Sequence, residues 1–582
     1  MQKRKAPKIR PTPDPESEAW KKLPWRKFEQ HIYRIQKRIY RASQRGESRK
    51  VQKLQKLLMK SEAARLLAVR RVTQDNQGKK TAGVDGVKSV KPKQRQEMAK
   101  AIHPACWNKQ RVKPVRRVWI PKPGKAEQRP LGIPTMMERC KQALVKMALE
   151  PEWEAKFEAN SYGFRPGRCC QDAIAAIFLM IQKKPKYVLD ADIKGAFDYI
   201  NQKALLEKLH TYPAMRQIIR SWLKAGVMDG KTFSPTEQGT PQGGVISPLL
   251  MNIALHGMEE VITAGYSKSH QVEKPKLVRY ADDFAIFHSQ LVEIEKATET
   301  ITQWLAQMGL TLSPKKTRLT HTLVPYQGEV GLNFLGVSIQ QMPVGKTHTG
   351  KSAHGHLLGY KTICKPSKEA VKRHIREVGE LIRKRRSVSQ EQLIWELNPI
   401  IRGWSAYYRT VVSSRVFAYC DSIMWFQLIR WVKTRHHHES IRRAVKKYWH
   451  QTETRQWVFA TSEGKELRLH QKMAIQQYVK VKGQASPYDG NWFYWSQRLK
   501  SHPMMTKTKA RLLQKQHGIC RWCELLFKAE DLLEVDHIDH NHAHNELSNL
   551  VLLHRHCHDE RHAKFLDTTK VQKLADAGIN IK

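Results

Sequence analysis

The chain has no apolar run approaching the roughly 20 residues needed to span a bilayer. Its N-terminus, Met1-Gln2-Lys3-Arg4-Lys5, is basic but lacks the apolar stretch of a secretory signal. Pro11, Asp14, Pro15 and Glu16 speak against an amphipathic organelle-targeting helix, and no lipidation signal is present. Cysteine is sparse: nine in 582 residues, scattered except for Cys520, Cys523 and Cys557. That pattern excludes a disulfide framework and points to a reducing, bacterial-type cytoplasm, with the clustered three serving a metal. Internal repeats and long low-complexity tracts are also absent, so the length is expected to be divided among several domains, each with its own core. Acid is in shortest supply. Asp plus Glu number 53 against 103 Lys plus Arg, a formal charge of +50. So large a surplus of one sign opposes compaction unless a polyanion shares the surface. Nucleic acid is the expected partner, held by a salt-sensitive interaction, and a membrane is not.

The segment 1–24 reads as a loose, Pro-containing lead. From Trp25 to about Arg71 the pattern is helical, with Ile32, Ile35 and Ile39 on one face and Arg34, Lys37, Arg38 and Arg41 on others. Val118-Trp119-Ile120, Pro121-Lys122-Pro123-Gly124 and Arg129-Pro130-Leu131-Gly132-Ile133 read as a hairpin, after which helix and strand signals alternate to about residue 340. From Lys368 onward helices dominate. Val371, Ile375, Val378 and Ile382 form a stripe, with Arg373, Arg376 and Arg383 off it, and Trp-rich helices follow around 393–408 and 416–432. The stretch 440–505 is basic and aromatic. His436-His437-His438 reads as an exposed run, because consecutive helical residues point in different directions.

Tyr280-Ala281-Asp282-Asp283 carries the most information. Two adjacent acids lie between the apolar runs Leu277-Val278 and Phe284-Ala285-Ile286-Phe287, as at the tip of a hairpin. Charge placed between β-forming segments is costly without a cation, so the pair suits divalent metal and phosphoryl transfer. A second acid source is Tyr187-Val188-Leu189-Asp190-Ala191-Asp192, where Asp190 and Asp192 share a strand face and spacing does not choose between them. A third element is Thr240-Pro241-Gln242-Gly243-Gly244-Val245-Ile246-Ser247-Pro248. Its glycines permit close backbone approach, and Ser247-Pro248 reads as a helix start.

Asp-x4-Phe, Pro-Gln-Gly-Gly and Tyr-Ala-Asp-Asp, in that order, resemble the palm of a reverse transcriptase of the group II intron-encoded type. Arg129-Pro130-Leu131-Gly132-Ile133-Pro134, Ser161-Tyr162-Gly163-Phe164-Arg165-Pro166-Gly167-Arg168 and Arg402-Gly403-Trp404-Ser405-Ala406-Tyr407-Tyr408 extend the resemblance. It implies that Asp192, Asp282 and Asp283 hold two Mg²⁺ ions, with Asp190 in support. It also implies that Phe197 gates against a ribose 2′-OH, that Lys122 and Arg129 grip the dNTP triphosphate, and that Gln242 lies under the template–dNTP pair. The implied fold is multidomain α+β: a right-hand polymerase with fingers and an antiparallel palm sheet (25–345), a helical thumb or maturase domain X (346–450), a DNA-binding region (451–506) and a zinc-stapled module (507–582). Trp492 and Trp495 in the third of these either stack on bases or fill a small core.

In the last segment Cys520-x2-Cys523 and His554-x2-Cys557 have paired-ligand spacing for structural Zn²⁺. Between and beside them, Asp536-His537, Asn549 and His558 resemble an HNH endonuclease. By that resemblance His537 is the general base, and histidine suits the role because it titrates near neutrality. Asn549 would orient the imidazole, while Asp536 and His558 would hold one Mg²⁺. The HNH pattern usually has Cys where His554 stands, and His540, His542, His544, His556 and His562 lie close by. The whole describes a protein that binds and helps splice its intron RNA, nicks target DNA and copies the RNA into DNA by target-primed reverse transcription. Its rivals are a splicing-only RNA-binding maturase with inactive enzymatic domains, a reverse transcriptase from another retroelement, and a homing endonuclease. Intact Asp192, Asp282, Asp283 and His537 oppose the first.

Overall fold

The strand Tyr187–Asp192 is buried from both sides: Leu189 and Ala191 enter one hydrophobic core and Val188 another. Such two-sided burial belongs to a central strand. In the computed structural model, which describes residues 19–562 except 21, 110, 122–126, 268–271, 353, 453–454 and 528–530, it lies between Asp283–His288 and Arg318–His321. Lys276–Tyr280 completes the four-stranded sheet from the far side of Asp283–His288, and all neighbours are antiparallel.

A second four-stranded sheet joins the antiparallel pair Val115–Pro121 and Gln128–Ile133 to Val227–Asp229 and Thr232–Ser234. The hairpin expected from sequence forms, with Val118 opposite Leu131 and Ile120 opposite Arg129. Lys122, at its turn, lies outside the described residues. The N-terminal helices Trp25–Gln44, Ser48–Lys60 and Glu62–Arg70 bury Ile32, Ile35 and Ile39 against the same core as Leu189, while Arg34, Arg38 and Arg41 stay exposed.

The helices Lys368–Lys384, Gln390–Tyr408 and Ser414–Arg435 pack around Val378, Ile382, Leu393, Leu397, Met424 and Leu428. His374 joins the buried stripe, and Ile375 is only half-buried. The segment boundaries read from sequence meet a physical obstacle at 345/346. That point falls between the strands Val337–Pro343 and Tyr360–Pro366, which pair along their whole length. The 450/451 point likewise falls inside the hairpin Trp449–Thr452/Arg455–Phe459. Nor does the stretch beyond it form a core of its own. Val481 and Trp495 pack with Val188, Phe287 and Phe417, and the Arg498 guanidinium grips the fully buried Asp172 through Nη2, 2.5 Å from Oδ1. The C-terminal module starts at the helix Lys507–Lys515, capped by Thr506, and pairs Leu533–His537 with Leu550–His554 over a small core. Among the described residues no helix is long and apolar enough to cross a membrane.

Candidate active sites

Register brings the distant acids of the first sheet together. Asp192 stands directly opposite Asp283, and Asp283 in turn opposite Tyr280, so the Ala281-Asp282 turn projects at the end of the central strand. Ala281 takes a positive φ of 59°, the conformation a tight two-residue hairpin demands. Asp192 is nearly buried and the other two acids are half-buried. Burial, the Asp192 contact and the neighbouring charges push the Asp283 carboxyl up to about 8. Burial and Asp192 also raise Asp282, against the pull of Lys316 and Arg129. Burial first, then Asp192, raises Asp190 to about 7, although Arg318 opposes it. Acids crowded until they resist ionising form a donor set suited to divalent cations.

Sequence reasoning missed Lys316. Its Nζ lies 2.5 Å from Asp192 Oδ2, and Ser313 N–H donates to the Asp192 carbonyl at 2.8 Å, so the Ser313-Pro314-Lys315-Lys316 turn holds a cation against the acids. The only signal in the sequence was a Ser-Pro turn followed by two lysines. Arg279 was missed too. It is fully buried one turn before the acids, and its Nη1 donates to Asn252 Oδ1 at 3.0 Å and to the Ala281 carbonyl at 3.2 Å. The strand it occupies meets the Ser161-Tyr162-Gly163 segment through Tyr162 N–H to the Arg279 carbonyl, 2.9 Å. A Cβ on Gly163 would come within 2.3 Å of the Ala281 nitrogen. Glycine there is what allows the two loops to touch.

The remaining expected substrate residues share one network. Phe197 packs against the core beside Phe164, and its carbonyl accepts from Thr240 N–H at 2.6 Å. The Gln242 carbonyl accepts from Gly132 N–H at 2.5 Å, tying the Pro-Gln-Gly-Gly loop to the hairpin strand that carries Arg129. Arg129 itself is exposed. Gly243, with φ of 114°, has no room for a Cβ because the Gly132 oxygen would lie 2.9 Å away.

Among the described residues, two groups of three or more potential metal ligands have their ligand atoms within 4.8 Å of one another, both in the C-terminal module. Cys520, Cys523, His554 and Cys557 form the first, all buried. His554 turns Nδ1 to Cys523 Sγ at 3.2 Å and Nε2 to Asp531 Oδ2 at 3.1 Å, the ligand-and-carboxylate arrangement that orients an imidazole toward a metal. His556 and the other nearby histidines are not in this set, so His554 is the group that completes it.

The second group is Asp536, His558 and His562. Asp536 is buried and paired with His562 Nε2 at 2.9 Å and with Arg561. His562 and Arg561 hold its carboxyl below the usual range against the upward push of burial. His562 was not among the ligands expected. Asn549 hydrogen-bonds within its own loop. Its Nδ2 donates to Asp539 Oδ1 and to the His544 carbonyl, both at 2.8 Å, while Asn545 Oδ1 lies 3.1 Å from His537 Nε2. Asn549 therefore shapes the loop, and Asn545 contacts the imidazole.

Trp495 is core. Its Nε1 donates to the Ser486 carbonyl at 3.1 Å, and its ring fills the space over Gly167. Trp492 instead leans on Tyr33 with ring centres 4.5 Å apart. His437 and His438 are exposed, as expected of that run, and His436 contacts the Tyr448 hydroxyl at 2.9 Å.

Four family models match in sequence order. The N-terminal domain of reverse transcriptase covers residues 20–102, and reverse transcriptase (RNA-dependent DNA polymerase) covers 120–339. The group II intron maturase-specific domain covers 371–449, and HNH endonuclease covers 520–564. Among curated relatives, Protein YkfC of Escherichia coli is 29% identical over 326 residues, spanning 50% of this chain and 85% of that protein. Group II intron-encoded protein LtrA of Lactococcus lactis is 27% identical over 403 residues, 56% of this chain and 65% of the relative. A 91 kDa protein in the cob intron of Schizosaccharomyces pombe is 29% identical over 369 residues, 52% and 44% respectively.

Proposed function

We propose that this chain, which belongs to the group II intron-encoded reverse transcriptases, binds its intron RNA, assists splicing, and copies that RNA into DNA from a primer end cut by its own nuclease module. The observation that carries this reading is the pairing of Asp192 with Asp283 across one sheet, with Asp282 at the adjoining turn. Bound Mg²⁺ would supply the charge and Lewis acidity for phosphoryl transfer there, held by those three carboxylates. Around them, Arg129 offers a fork for triphosphate oxygens. Phe197, a bulky ring packed beside Phe164, would crowd a ribose 2′-OH. The Gln242 loop, pinned to Gly132, gives a floor for the template–dNTP pair. The basic helices of 368–435 supply a surface for structured RNA, which is recognised largely through shape and phosphate.

In the C-terminal module Zn²⁺ would be held by Cys520, Cys523, His554 and Cys557 as a structural staple, since the core beneath is too small to stand alone. Asp536, with His558 and His562, would hold one Mg²⁺ beside a scissile phosphate, and His537 would take the proton from the attacking water. Target DNA and dNTPs are the corresponding substrates.

The test is primer extension on an RNA template with Asp282→Ala and Asp283→Ala. Each is expected to lose about a thousandfold or more in synthesis while nicking of target DNA continues. Parental rates in either variant would refute the site. Sequencing the RNA that co-purifies is expected to return a group II intron.

A further inference from the structure

A cavity of about 1590 Å³ separates the N-terminal helices from the C-terminal module, and its walls differ in charge. Lys22, Arg34, Lys37, Lys80 and Arg95 line one side. Of the acids on that side, Glu29 and Asp75 pair with Arg70, and Glu150 pairs with Lys146. Across the gap the edge beside the cysteine cluster presents Glu524, Asp559 and Glu560, with Arg555 as its cation. Phe164 and Val245, from the polymerase loops, also line the cavity, as do the rings of Tyr33 and Trp492. Basic side chains interleaved with ring faces are what single-stranded nucleic acid uses, but an acidic wall repels it.

The two walls also touch directly. The Arg26 guanidinium pairs with the Glu524 carboxylate, and His556 Nε2 lies 3.8 Å from Glu29 Oε1. Arg26 and Glu524 side chains are 44% and 61% exposed, so their pair is worth little by itself. Attraction across the gap is spread over several charges and screened by salt. The dock is therefore weak and easily broken.

We infer that the acidic edge of the nuclease module occupies the place of nucleic-acid phosphate on the N-terminal wall, and that a single strand of RNA entering the cavity displaces it. The module is parked while the polymerase is empty and released once the template strand is in place. The proposed function enters only through the nature of the competitor. The dock itself is tested without any RNA.

The experiment is cross-linking in the full chain carrying Arg26→Cys and Glu524→Cys. A short bis-maleimide is used, and the linked 26–524 peptide is quantified by mass spectrometry. Both side chains are well exposed, and because residue 524 adjoins Cys523 the double variant is first matched to the parent in Zn²⁺ content and melting temperature. The linked peptide is expected from the RNA-free protein, and its yield should fall about fivefold with a saturating RNA oligonucleotide of about 12 residues. A missing bridge in RNA-free protein overturns the dock. A yield indifferent to the oligonucleotide overturns the competition. Glu524→Arg alone should bind the same oligonucleotide about threefold more tightly, with the gain shrinking at high salt; unchanged affinity would also count against masking.

Discussion

The two metal-type sites are assembled in opposite ways. The cysteine–histidine cluster brings four donors from two short segments, and all four are buried and mutually close. The candidate polymerase acids come from positions 192, 282 and 283 and are brought near one another by sheet register, with Lys316 paired to Asp192. The first site lies in a module with a small core, whereas the second sits at the end of a sheet that a large core already secures. A structural site can be complete in itself, while a catalytic one keeps charge in reserve for what it binds.

That contrast is sharpest when each site is broken. Cys523→Ser, or a strong chelator, is expected to abolish nicking and unfold the C-terminal module, because metal affinity there is folding energy. RNA-templated synthesis should persist, since Ala191, Ala281 and Phe284 beside the sheet acids belong to a separate core. Loss of both activities on zinc removal would show that the two regions are not independent.

The polymerase site should instead break through geometry with its ligands untouched. Gly163→Ala places a methyl 2.3 Å from the Ala281 nitrogen, so the acid-bearing turn must move. A displacement of about 1 Å at reacting groups costs on the order of a hundredfold. Primer extension is expected to fall by that much at unchanged nicking. A variant with full polymerase activity would show that the turn tolerates the shift. In the nuclease site, Asn545→Ala is expected to slow nicking about tenfold by releasing the His537 ring. Asn549→Ala should also lower the module's melting temperature, because it unties Asp539 and His544. Equal effects on rate and stability in both variants would erase the distinction.

Much of this was legible in the sequence, for identifiable reasons. Cys520-x2-Cys523 and His554-x2-Cys557 are local spacings, and local spacing survives folding unchanged. The acids at 282 and 283 announced themselves as charge between apolar strands, and the Ile32, Ile35 and Ile39 stripe as a helical period. What stayed hidden depends on partners far along the chain. Lys316 is 124 residues from Asp192, and Arg279 reads as one more cation in a basic protein until burial shows it bracing a carbonyl. His562 and Asn545 were hidden by abundance, since a histidine- and asparagine-rich segment offers too many candidates for spacing to rank. The aromatic run 492–495 left stacking and core filling both open: Trp495 entered a core shared with residues near 188 and 287, and no local pattern could have named those partners.

The smallest expected effect concerns pH, and its sign follows from the acids. In the metal-free protein, Asp283 is pushed up to about 8 and Asp190 to about 7, both well above an unfolded carboxyl near 4. A carboxyl raised on folding favours the native state while protonated, below its unfolded value. That contribution fades as pH climbs through the folded value. Metal-free protein should therefore lose stability from about pH 4 to about pH 8, and divalent cation should restore it by compensating the ionised set. The rise in melting temperature on adding Mg²⁺ is expected to be larger at about pH 8 than at about pH 6, by a few degrees at most in a chain of this size. Asp283→Asn should flatten that difference, since it removes the most strongly raised carboxyl. The C-terminal module sets the contrast: Asp536 is lowered through His562 and Arg561, so its contribution fades only on acidification. An Mg²⁺ effect that is equal at both pH values, or larger at the lower one, would mean that the acids of the sheet are already ionised and balanced by Lys316.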